Sequence, residues 1–84
     1  MAQREFTTVN PNMKPYESDA DFCRRNGWQA GQKLAGDEGY GVSVIQLTAI
    51  GERSIFAKEV SRAGEPVNES EHLWTLYLRD WKPV

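Results

Sequence analysis

The residues best equipped for chemistry in this chain are Tyr77, Arg79 and Trp81, which alternate through the stretch WTLYLRDW at 74–81. In an extended backbone successive side chains point to opposite faces, so these three and Thr75 line one face while Trp74, Leu76 and Leu78 line the other. The apolar face is core. The Tyr-Arg-Trp face calls for a covering helix, a partner subunit or a ligand that stacks. An aromatic ring against a nucleobase contributes about 1–3 kcal/mol, and a guanidinium fork matches phosphate oxygens. Arg53 and Lys58, on the neighbouring hairpin, add charge to the same rim, and Tyr40 is the residue of GDEGYG (36–41) best suited to a ligand. The candidate binding set is therefore Tyr40, Arg53, Lys58, Tyr77, Arg79 and Trp81.

Nothing in the chain forms a catalytic signature. GDEGYG has the glycine order G-x-x-G-x-G, lacks a following Lys-Ser/Thr pair, and leads into a strand where a phosphate loop requires a helix. Asp37 and Glu38 would repel phosphate, and two adjacent acids fall short of the six or more oxygens a hard cation takes. The stretch reads as a plain turn. His72 is the sole histidine and Cys23 the sole cysteine, so a nucleophile–base pair or a metal set has almost nothing to draw on. His72, beside Glu69 and Glu71, reads as surface, and Cys23 as a small buried hydrophobe that can form no intramolecular disulfide. No activity, cofactor or metal ion is expected.

A chain of 84 residues holds one domain, and its 39% hydrophobic and 26% charged content is that of an ordinary globular protein. With 12 acidic and 10 basic side chains scattered along its length, the net charge of -2 disfavours long nucleic acids, whose affinity comes mostly from neutralised phosphates. A small anion held by two or three local cations remains compatible with that balance. No apolar run approaches the roughly 20 residues that span a bilayer, and the start MAQREFTTVN lacks a secretion signal's apolar middle, so no membrane association and a cytosolic location are expected.

The elements that must position these groups follow from pattern. Residues 1–17, with Pro11 and Pro15 and no clear period, read as an extended arm ahead of a single domain at 18–84. Ser18 caps a short helix with Asp19 and Asp21 at its positive end and Arg24 and Arg25 at its negative end; Asn26-Gly27 stops it, and Ala20, Phe22 and Cys23 face inward. Strands are then predicted over 28–35, 42–50, 54–60 and about 71–79, with WKPV adding a short last one. The alternation of VSVIQLTAI slips between Val44 and Ile45, which signals a bulge or bend; Gly51-Glu52 makes a hairpin turn with Gly at positive φ, and 61–70 is a polar loop. The fold class is mainly β: a small SH3-like barrel or curled antiparallel sheet with one short N-terminal helix.

At GDEGYG (36–41), LTAIGE (47–52), WTL (74–76) and RDW (79–81) the sequence resembles a group of small bacteriophage and prophage proteins of uncharacterised function, over roughly residues 18–84. The resemblance supplies no catalytic residues. It implies a virus-encoded accessory protein in the bacterial cytosol, a setting in which such proteins work by binding, as sponges for nucleotide immune signals or as inhibitors of host enzymes. The expectation is a non-enzymatic binder that captures a small nucleotide-type ligand, with a homo-oligomer building a pocket one short chain cannot enclose. A module that blocks a host or phage protein, and a nucleic-acid-binding barrel, are the alternatives.

Overall fold

The computed structural model describes residues 9–37 and 41–84. Helix α1, Asp19–Arg25, forms as its caps dictate: Ser18 Oγ accepts from the Asp21 amide at 3.1 Å, Asn26 closes the last turn, and Gly27 leaves at φ 76°. Seven residues cannot hold a helix alone. Burial of Ala20, Phe22 and Cys23 does so, with Phe22 edge-on to Trp28 at 5.3 Å. Polar contacts then dock α1 on the chain at 51–53: Arg24 donates to the carbonyls of Gly51 at 2.9 Å and Glu52 at 2.7 Å, and the Ala20 amide donates to Arg53 O.

Six strands follow: β1 Lys33–Asp37, β2 Val42–Ile50, β3 Ile55–Arg62, β4 Glu65–Pro66, β5 His72–Trp74 and β6 Lys82–Pro83. They make one antiparallel sheet, β4-β3-β2-β1-β6, with β5 on the same edge of β3 as β4. The sheet is mainly β as expected, and it stays open: among the described residues β6 has β1 as its strand partner and does not meet β4 or β5. One face is apolar, with Leu34, Ile45, Leu47, Ile55 and Ala57 buried against α1, Trp28, Leu76 and Trp81.

Several local expectations shift. The first strand begins at 33 instead of 28, because Gly31 at φ 100° interrupts the extended chain, and it runs on through Gly36 and Asp37. The register shift at Val44/Ile45 is present, but β2 alternates cleanly there with Ser43, Ile45 and Leu47 buried; the extra residue is Val60 in β3. A second shift adds Thr48 to β2. Gly51 is not among the residues at positive φ, so the turn at 51–54 does not depend on that freedom. Within the expected 61–70 loop, Ala63 (φ 52°) and Gly64 (φ 85°) instead form a two-residue turn of the kind that matches strand twist, linking β3 to β4.

The largest correction concerns the octapeptide. The strand predicted over about 71–79 ends at Trp74, and residues 75–81 cross from the β3 edge to the β1 edge, where β6 begins. The backbone groups that a strand would spend on a neighbour are taken elsewhere. Leu76 N donates to Asp19 Oδ1 at 2.8 Å, and Leu76 O accepts from Asn10 Nδ2 at 2.9 Å. Asn10 N donates to Tyr77 O at 2.8 Å, Val9 bridges Leu78, and Asn12 Nδ2 reaches Asp80 at 2.8 Å. Arg79 at φ 77° then turns the chain in a way no strand allows. Residues 9–12 thus clamp the crossing segment, with Asn10 fully buried; the rest of the expected arm, residues 1–8, lies outside the described residues.

Candidate ligand-binding cavity

The crossing segment and β5 line an open hollow of about 300 Å³. β5 supplies its aromatic wall. Ile55 lies opposite Trp74 and Ala57 opposite His72, and directly opposed residues of an antiparallel pair share a face, so both rings stand on the core side of the sheet. Their centroids are 5.0 Å apart with planes tilted by 35°. His72 Nδ1 lies 3.2 Å from Ser70 O. The crossing segment supplies the other wall through Leu78, Arg79 and Trp81. Trp81 meets Trp74 edge-on, with centroids 6.4 Å apart.

Trp81 is fixed by β1. A Cβ placed on Gly36 would lie 2.7 Å from Cε3, 2.8 Å from Cδ2 and 2.9 Å from Cζ3 of the indole, so the six-membered ring rests on the glycine backbone. Only 2% of Trp81 is exposed. It is a core residue with one edge in the cavity wall, and the expectation of an open stacking platform at 81 is corrected accordingly.

The crossing segment also separates the three residues that a strand would align. Tyr77, 54% exposed, lines a second hollow of about 410 Å³ with Val9, Met13 and Tyr16, away from Arg79 and Trp81. Arg53 sits in the turn before β3 beside α1, and Lys58 lies opposite Gln46 on the face of β3 turned from the core; neither lines the cavity. Tyr40 lies outside the described residues. Of the candidate set, Arg79 and Trp81 are brought together, and His72 and Trp74 join them. The signal for that pair is the H-x-W spacing, which puts two rings on one face of even a three-residue strand; it competes with the plainer readings of His72 as surface and Trp74 as core.

Arg79 brings a guanidinium cation whose Nε is buried, His72 and Trp74 bring flat ring surface, and Trp81 brings an edge of its indole. The buried Cys23 thiol is pushed up to about 12, first by desolvation and then by the Asp19 charge, which leaves no thiolate to act as a nucleophile. Glu59, the buried acid of β3, is gripped by Arg62, whose Nε donates to it at 3.1 Å; that bond holds its carboxyl below the usual range. Among the described residues no three His, Cys, Asp or Glu side chains converge on a point where a metal ion would fit. No helix among them is long and apolar enough to cross a membrane.

The chain belongs to the family described as domain of unknown function DUF7241, whose model matches residues 17–84 and so takes in α1, the whole sheet and the cavity. No curated protein and no solved structure matches it.

Proposed function

We propose that this domain is a non-enzymatic binding protein that captures a small, flat, anionic ligand of nucleotide type between β5 and the crossing segment. The observation that carries the proposal is the convergence of His72, Trp74, Arg79 and Trp81 on one cavity. Apolar and aromatic walls with a few placed polar groups are the general form of a small-molecule site. A heterocycle fits the rings and a phosphate fits the guanidinium. At about 300 Å³ the cavity is at the low end for such sites, enough for one ring and its phosphate. A ligand with two nucleotide units needs a second copy of the chain to cover its other half, which is the reason to expect a homo-oligomer. In a bacteriophage, capture without turnover serves to sequester a nucleotide immune signal.

A thermal-shift series with nucleoside monophosphates and cyclic dinucleotides tests this. A ligand at a hundredfold excess over its Kd stabilises the native state by about 2.7 kcal/mol, which for a domain of this size raises Tm by roughly 10–20 °C. Arg79→Ala should abolish the shift. Absence of any shift across the panel overturns the proposal. The alternative of a protein-binding module draws on a different surface: Phe56 (41% exposed) and Leu73 (61% exposed) stand directly opposite each other on the outer face of the sheet.

A further inference from the structure

Residues 14–17, Lys-Pro-Tyr-Glu, make a tight turn in which the Glu17 amide donates to Lys14 O at 3.1 Å and Tyr16 takes the third place at φ 68°. That place suits glycine or asparagine, and a bulky side chain there is strained. Burial gives nothing in return, because Tyr16 is wholly exposed. The turn is nonetheless braced. Lys14 N donates to Glu17 Oε1 at 2.9 Å, Arg25 grips both Glu17 oxygens at 2.8 Å, and Arg25 Nη2 also donates to Asn12 O at 2.7 Å. Backbone strain that its surroundings hold in place clusters at sites that clamp a ligand or partner. Here it holds an aromatic ring in solvent, at the hollow of about 410 Å³ where Val9 is 51% and Tyr77 54% exposed.

We propose that Tyr16 and this hollow form a docking surface for an acidic segment of a partner protein, which seats an apolar side chain against Tyr16, Tyr77, Val9 and Met13 and sets a carboxylate beside Lys14. Exposed tyrosines with methionine around an apolar hollow are the make-up of a protein-binding hot spot. Charge selects the partner. The charged residues lining the hollow are Lys14 and Glu17, and Arg25 already neutralises Glu17, so the rim presents the Lys14 ammonium. A second copy paired about a twofold axis would set this surface on its own equivalent, with one Lys14 facing the other. A single cation is too little for a nucleic acid, whose affinity comes from many neutralised phosphates. None of these residues lines the hollow at β5, so this surface is independent of the ligand proposed there.

The test uses a variant in which stability and binding move in opposite directions. Asparagine adopts a positive φ more readily than tyrosine, so Tyr16→Asn should keep or exceed the parent's Tm while it removes the anchor. A ribosome-displayed library of random dodecapeptides is panned against the full chain and, in parallel, against the Tyr16→Asn protein. The expected result is a set of peptides that carry an apolar residue beside Asp or Glu and bind Tyr16→Asn about tenfold or more weakly. Their affinity for the parent should fall as salt is raised, since the Lys14 contact is at the surface. No enrichment, peptides that bind both proteins equally, or peptides rich in Lys and Arg overturn the proposal. So does a Tm several degrees lower for Tyr16→Asn, which would mean that the ring packs on its own chain. Self-association of the parent in sedimentation that is lost in Tyr16→Asn overturns it as well, by giving the surface to a second copy.

Discussion

Gly36→Ala is the sharpest probe of how the cavity is built. The added methyl would lie 2.7 Å from Trp81 Cε3, whereas unstrained carbon contacts fall at about 3.5–4.0 Å, so the indole or β1 has to give way by about 1 Å. The ring is 2% exposed, with little room to retreat. Overpacking of this kind costs about 1–3 kcal/mol. Alanine in a strand regains about 0.5–1 kcal/mol relative to glycine by restricting the unfolded chain, and the φ of Gly36 is one that alanine adopts freely. Taken at their midpoints the two leave a net loss of about 1.25 kcal/mol, or about 5–10 °C in Tm. Urea denaturation followed by tryptophan fluorescence measures it. Repeating the substitution in a Trp81→Leu background, where the opposing ring is gone, should turn the loss into no change or a small gain. A Gly36→Ala protein as stable as the parent, or equally destabilised in both backgrounds, would refute the packing described for Trp81.

Two further outcomes are expected. Asp19→Ala removes the acceptor of the buried Leu76 amide and should cost about 1–3 kcal/mol in denaturant titrations, whereas Asp19→Asn, which keeps an oxygen at that place, should recover most of it; equal losses would show that the carboxylate bond does not hold the crossing segment. The Glu17 carboxyl, bonded by Arg25 Nε and Nη2 at 2.8 Å each, is held down to about 2 from an ordinary 4.5. Because the unfolded chain binds the proton first, this stabilisation is complete above about pH 5 and fades as the pH falls toward 2; Glu17→Gln should flatten stability over that window, and an unchanged slope would contradict the pairing.

How much of this is legible in the residues depends on whether the signal is local. The helix is: Ser18, the charge order and Asn26-Gly27 each act within one or two turns, and α1 has the caps and buried face they dictate. The sheet as a whole is legible for the same reason, since its long strands carry a period of two. The octapeptide is not. Its alternation is that of a strand, but Leu76 gives its backbone N–H to Asp19 and its carbonyl to Asn10. No local pattern announces partners so distant in the chain. The same cause splits the site: Tyr77 goes to one side of the crossing segment while Arg79 and Trp81 go to the other. His72 and Trp74 carry a usable signal in their spacing, weakened by a strand of only three residues.

The clamps on the crossing segment come from 66 and 57 residues upstream, and its indole is seated on a glycine of yet another element. WTLYLRDW is therefore not a portable motif. Grafted into a foreign scaffold it carries its side chains along and leaves their arrangement behind, because that arrangement is written in Asn10, Asp19 and Gly36. The smallest transplantable unit is the domain.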